Sequence, residues 1–293
     1  MLRPALVCLV LCVLSPAWAT DCPQHYAAGA PPVIVKPALK VRTQDLCFRA
    51  YAVMHSGVSR GPLWSAERLL RANIEAARDL TRKDSFHPEP ALLFSDRAEL
   101  ADYARSGYDR GHMSPNGDMP DRASQAESFS LANMVPQVHA NNAGVWSGIE
   151  SAVRQLAIRE GEVYVVTGPA FVGDNITSLK GRVLIPTHIW KIVYSPKRRQ
   201  AGAYLVTNDE TRTYSALSVS ELERMIGISA LPGVPQRVRD AVMSLPVPSS
   251  DGGRQARNQG KQGGSGSGGD YSLSDLARWA AQTVETILKK LMK

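Results

Sequence analysis

Residues 249–270 are dominated by Gly, Ser and Gln with scattered Arg and Lys, a composition with too little apolar surface to offset the entropy of ordering it. Whatever folds compactly must stop where this tract begins. A second limit lies at the other end, where Arg3, an apolar run over 5–14 and the Ala17-Trp18-Ala19 pattern read as a secretory signal peptide spanning 1–19. That run is too short to cross a bilayer. Between the two limits, residues 20–248 form one stretch long enough for a single domain with a well-buried core.

Beyond the linker, 271–293 carries Leu273, Leu276, Trp279, Ala280, Val284, Ile287, Leu288 and Leu291 at helical spacing, closed by Lys289, Lys290 and Lys293. This is the pattern of an amphipathic helix on a tether, suited either to docking on itself or a protein partner or to lying on a membrane surface. Export takes the mature chain to a periplasm or to the outside. Cys8 and Cys12 leave with the signal, so Cys22 and Cys47 remain, and an oxidising compartment favours a disulfide between them. Of the formal charge of +7, Arg3 contributes one and residues 251–293 contribute three, leaving the body mildly basic at +3. A polyanionic partner is compatible with that bias but does not follow from it.

Several elements can be read along the body. The Pro- and Gly-rich arm at 22–37 suggests extended surface chain, 46–56 a strand ending in a turn at 57–61, and 62–80 a helix by its Ala, Leu, Glu and Arg content. Strands are expected at 163–167, 183–194 and 203–207, with His188 and Trp190 as core or sheet-face residues. Ser218 with Glu221 makes a capping-box pattern for a short helix through Met225, and 235–245 reads as another.

The chemistry concentrates in Tyr108-Asp109-Arg110-Gly111-His112-Met113-Ser114-Pro115-Asn116. If this stretch is a strand, side chains alternate, so Arg110 and His112 share one face and Asp109 and Gly111 the other. Arg is a permanent positive fork for phosphate oxygens, and His is the side chain best suited to act as a general base near neutrality. A structural Asp-Arg pair with a buried core His would use the same four residues, so the string alone decides little.

The continuation is more informative. Residues 129–137 look like a strand ending at Pro136, with Asn133 a polar residue in an apolar run, as a hydrogen-bonding staple would be. Asn141 and Asn142 then open a helical pattern running to Gly161, with Asn in its preferred capping position. Residues four apart drift by only about 40°, so Asn142, Trp146, Glu150 and Arg154 form one stripe. Its amide and carboxylate oxygens suit Mg²⁺, a hard cation that keeps several waters. Two strands and a helix thus make a ββα unit.

In this order and spacing, YDRGHMSPNGDM, SLANMVPQ and NNAGVWSGIE resemble the DNA/RNA non-specific endonucleases of the ββα-metal superfamily, the group that includes endonuclease G; VYVVTGP and IPTHIWKIVY agree. The resemblance implies an α+β fold with a central antiparallel sheet flanked by helices, to which the C-terminal amphipathic helix is an addition. It implies an extended rather than helical chain around 63–67. It also implies that His112 is the general base, that Asn142 is the one direct protein ligand of a hydrated Mg²⁺ (Mn²⁺ being the substitute ion), and that Glu150 holds the metal's water shell. Asn133 would help hold the site, and Arg110, Arg82 and Arg154 would stabilise charge on the phosphate, with Asp109 orienting its neighbours. Family members often carry Ser where this chain has Ala132.

Phosphodiester hydrolysis needs an activated water, charge neutralisation at the phosphate and a stabilised leaving oxygen, and these residues supply all three. The expected activity is therefore hydrolysis of DNA and RNA to 5′-phosphate ends, with little sequence preference because backbone contacts carry no sequence information. Two other readings remain: an exported nucleic-acid-binding protein without hydrolysis, and a phosphodiesterase acting on a small or lipid substrate. Binding alone has no use for a base and a metal shell beside the arginines.

Overall fold

The computed structural model describes residues 21–249. The signal peptide read at 1–19, the linker beyond 249 and the amphipathic helix read at 271–293 lie outside the described residues. Within them, strands β1 (Thr43–Cys47), β2 (Tyr51–Ser56) and β3 (Gly61–Leu70) precede helix α1 (Arg71–Arg78). Strand β4 (Asp109–His112), helix α2 (Arg122–Ser128) and strand β5 (Met134–Gln137) follow, then helix α3 (Ser147–Glu160). The chain closes with β6 (Glu162–Ala170), β7 (His188–Ser195), β8 (Gln200–Thr207), β9 (Tyr214–Leu217) and helix α4 (Val219–Ile226).

Seven of these strands make an antiparallel sheet in the order β9-β8-β7-β6-β3-β2-β1. Both faces are covered, so its central strands are apolar on each side. On β7, Trp190 and Ile192 join Ala203 and Leu205 of β8 under Leu222, Met225 and Ile226 of α4. The alternate residues Ile189 and Val193 face Ile149, Val153 and Leu156, which stand at helical spacing on α3. The α3 side also carries a polar row through the register, Lys191 opposite Thr167 opposite Ser65. The ββα unit packs on that side: Ser65 and Ser114 hydroxyls meet at 2.6 Å just past the end of β4.

Several local expectations need correction. The segment at 46–56 is not one strand but the β1–β2 hairpin, folded around Phe48 to Ala50. Residues 62–80 are divided: the chain stays extended to Leu70 because β3 pairs with strands on both sides, and only then turns into α1. Sheet burial here overrides an Ala- and Leu-rich composition. The 183–194 span is a two-residue strand at Val183–Leu184 and then β7, and the helix expected at 235–245 is confined to Gln236–Asp240. The N-terminal arm is only in part surface chain, with Pro23, Gln24, Ala28 and Val35 exposed. Its Cys22, His25, Tyr26 and Ala27 are buried, in two 3₁₀ turns anchored by the Cys22–Cys47 disulfide. The capping box stands as read, with Ser218 Oγ accepting from Glu221 N–H, and left-handed Gly227 ends the helix.

Candidate active site

Strands β4 and β5 pair antiparallel, Arg110 opposite Pro136, Gly111 opposite Val135 and His112 opposite Met134. A Cβ on Gly111 would lie 2.0 Å from Gln137 Oε1, so only glycine allows this approach. Gln137 is needed there: its Nε2 donates to Asn141 Oδ1 at 2.7 Å, and Asn141 Nδ2 donates to Thr207 O at 2.5 Å. Asn208, at the end of β8, accepts from Val138 N–H and donates to the carbonyls of Pro136 and Pro186. Three buried amides therefore tie the β5-to-helix corner to the main sheet. Sequence patterns do not show this, because Asn208 lies about seventy residues from Pro136 and Val138.

Arg110 and His112 do share a face, and Phe86 identifies it. The Arg110 guanidinium stacks 4.2 Å above the Phe86 ring, while the His112 ring lies 5.7 Å from Phe86 and 5.1 Å from Phe129. Arg82 covers Phe129 at 5.4 Å. His112 is only 8% exposed, and its Nε2 is buried without a hydrogen-bond partner among the described residues. Burial, with the nearby Arg82 charge and then that of Arg110, depresses its pKa to about 3, partly opposed by Asp84. The free protein therefore holds this imidazole neutral at ordinary pH, with its proton-accepting capacity unspent.

An open cleft of about 650 Å³ lies alongside, lined by Arg82, Asp84, Phe86, Arg105, Asp109, Arg110, His139 and Asn142 among others. Asp109 Oδ2 accepts from Asn142 Nδ2 at 2.9 Å and is hydrogen-bonded to His139 Nδ1 at the same distance. With its amide nitrogen so occupied, Asn142 presents Oδ1 with no partner among the described residues. A free amide oxygen beside a carboxylate fits a hard, largely hydrated cation, which needs few protein ligands. Asn142 could hold such an ion directly. His139 was not singled out from the sequence; its only cue is a position three residues before Asn142.

Neither Asn141 nor Asn142 caps a helix N-terminus through its side chain, because helical turns already begin at His139 and a π-turn runs over Asn142–Trp146, with Gly144 non-helical inside it. This break interrupts the stripe expected from steps of four. Asn142 lines the cleft, whereas Glu150 and Arg154 belong to a polar cluster between α3 and the sheet. There Arg154 Nη1 binds Asp118 Oδ1 at 2.9 Å, and Lys191 Nζ donates to Thr167 Oγ1 at 2.8 Å while lying 5.3 Å from the Trp146 ring. Burial raises the Glu150 pKa, with Arg154 and Lys191 opposing. Glu67 on β3 is 1% exposed, neither of its oxygens has a hydrogen-bond partner among the described residues, and burial followed by the Asp118 charge raises its pKa well above the usual carboxylate range.

Asn133 lies in a 3₁₀ turn before β5 rather than in a strand. It is buried, its Oδ1 accepts from Ser114 N–H at 2.9 Å, and its Nδ2 donates to the Ser114 and Ser128 carbonyls at 2.8 and 2.9 Å. The amide is fully used in fastening the chain just after His112. Of the expected site residues, the fold thus gathers Arg82, Arg110 and Asn142 at one cleft, sets His112 close to the two arginines, buries Asn133 as a fastener and places Glu150 beside Arg154.

The architecture and this constellation are those of a ββα-type nuclease domain. The chain belongs to the DNA/RNA non-specific endonuclease family, whose sequence model matches residues 31–237. It is 31% identical to the mitochondrial nuclease EXOG of Danio rerio over 210 residues, 64% of this chain and 60% of that protein. With a nuclease of Nostoc sp. it shares 29% identity over 251 residues, 79% of this chain and 87% of the relative. A solved structure of an EndoG/EndoGI complex superposes with a TM-score of 0.61 at 25% identity, covering 66% of this chain and 88% of that one. Against EXOG of Danio rerio and of Homo sapiens, the match spans less than two thirds of the relative's length.

Proposed function

We propose that the chain is an exported, Mg²⁺-dependent endonuclease that cuts both DNA and RNA without sequence preference and leaves 5′-phosphate ends. The observation carrying this reading is a buried imidazole, His112, whose Nε2 has no partner among the described residues, close to two arginines that line a cleft where Asn142 Oδ1 likewise has no partner among the described residues. Family membership and the nuclease names of the relatives support it. The signal-like N-terminus and the Cys22–Cys47 disulfide support export to an oxidising compartment.

Arg82 and Arg110 take the phosphate oxygens and neutralise the charge that builds as phosphorus becomes five-coordinate. An anion between them also offsets the two charges that add to burial in depressing His112, so substrate binding removes that part of the shift and makes the imidazole more basic. His112 then accepts a proton from the attacking water. The new bond joins that water oxygen to phosphorus, and the bond from phosphorus to the 3′ oxygen breaks, which leaves phosphate on the 5′ side. Mg²⁺ held by Asn142 would supply positive charge at the leaving oxygen. Asp109 orients the Asn142 amide; Glu150, which is not among the residues lining the cleft, would act on such an ion through water, and Arg154, tied to Asp118, positions Glu150.

The test is cleavage of defined DNA and RNA in Mg²⁺ or EDTA, with the product ends mapped. Mg²⁺-dependent products that accept a 5′ label only after phosphatase treatment are expected. Products carrying 3′ phosphate, or cleavage indifferent to EDTA, would overturn the mechanism.

A further inference from the structure

Residues 82–86 form a ridge with a cleft on each side. Asp84 and Phe86 line the active cleft, Lys83 and Ser85 line a second cleft of about 710 Å³, and Arg82 lines both. This alternation is what an extended segment imposes on successive side chains. The far wall of the second cleft is the start of α2, with Arg122, Gln125 and Ala126. Arg82 is paired with Asp84 at 2.5 Å, but Asp84 faces the active cleft; no carboxylate lines the second cleft, and neither Lys83 nor Arg122 has an acidic partner among the described residues. Arg122 Nη1 is braced instead by the Thr81 carbonyl and Gln125 Oε1, and Gln125 Oε1 also accepts from Lys83 N–H at 3.2 Å. Gln125 thereby fixes the loop and helix walls relative to each other, so the cleft is built rather than left over between loose side chains.

We propose that this second cleft is a phosphate subsite for the strand being cut, with Lys83 and Arg122 binding a backbone phosphate flanking the scissile one and Arg82 bridging the two. The inference rests on the nuclease reading for its ligand. A strand crossing the ridge would meet positive charge on both sides, and contacts of such cations to phosphate carry no sequence information, which suits a substrate read without sequence preference. Chains too short to reach across the ridge lose these contacts.

The experiment measures binding rather than cleavage, so it does not depend on the protein being a nuclease. Fluorescence anisotropy of single-stranded oligonucleotides, twelve and three nucleotides long, is followed across a salt series for the full chain carrying His112→Ala, alone and with Lys83→Ala plus Arg122→Gln. A further variant with Lys40→Ala plus Lys197→Ala, both exposed and remote in sequence from the cleft, lowers the net charge equally. Loss of one to two phosphate contacts should weaken twelve-nucleotide binding about tenfold or more. It should also make the slope of log K against log salt shallower by roughly 0.7 to 1.4. The three-nucleotide ligand and the charge control should show neither change. An unaltered slope in the Lys83/Arg122 variant overturns the subsite, and so does an equal loss for the short ligand or for the charge control. Binding in the expected pattern by a protein whose wild type cleaves nothing would keep the subsite and remove the nuclease reading instead.

Discussion

Replacing Asn133 with Ala separates a reacting group from a fastening one. The side chain makes three buried hydrogen bonds, all to backbone of Ser114 and Ser128, and none toward the cleft. Each bond contributes about 1 kcal/mol net, and each buried partner left unsatisfied costs about 1–3 kcal/mol. Water entering the small void would recover part of that loss. The expected cost is about 3–5 kcal/mol, at the severe end for a single substitution, and should appear in urea unfolding as a lower midpoint with an unchanged slope. Ser114 also meets Ser65 on the main sheet, so loosening it frees the end of β4 that carries His112. Activity per folded molecule should therefore fall and recover partly with stabilising co-solvents, which a missing catalytic group would not allow. Asn133→Ala within 1 kcal/mol of wild-type stability, yet inactive, would refute this reasoning and return Asn133 to the chemistry.

Two other outcomes follow from the same geometry. His112 has a folded pKa of about 3 and His188 of about 4, both lowered chiefly by burial, against about 6.5 in the unfolded chain. Unfolded chain then binds more protons between those limits, so stability present above pH 6.5 is lost as pH falls toward the folded values. At pH 5 the His112 share is about 2 kcal/mol, and His112→Gln should lose that much less stability than wild type between pH 7 and 5; parallel losses would contradict it. Gly111→Ala drives a methyl into Gln137, whose amide holds Asn141, and should lower the thermal midpoint by several degrees or prevent soluble expression. A neutral effect would show that the β4–β5 approach is looser than described.

What the sequence revealed, it revealed through short-range periodicities. Alternation along 109–112 placed Arg110 and His112 on one face, and the Ser218–Glu221 spacing marked a helix start, because both depend only on local backbone geometry. The polar intruder Asn133 also read correctly as a staple, since a buried amide in an apolar run needs partners. Closure of Phe86 and Phe129 over His112 was not legible. It brings together rings that neighbour the site only after β4, the loop at 81–87 and α2 have packed. The π-turn at Asn142–Trp146 adds backbone that no period of four contains, so the stripe is interrupted between Asn142 and Trp146, while Glu150 stays beside Trp146 and Arg154. Pairing of Arg154 with Asp118 and the orphaned Glu67 belong to the same class of tertiary facts.

The account stands on His112 acting as the base beneath a phosphate-binding cleft. Its most direct test is the conversion of supercoiled plasmid and of structured RNA by the purified chain in Mg²⁺, beside His112→Ala at equal folded concentration. The account predicts loss of both substrates with wild type and a drop of about a hundredfold or more in the variant, the scale of general-base catalysis. Comparable cleavage by His112→Ala, or intact nucleic acid with the folded wild-type protein in Mg²⁺, would contradict it.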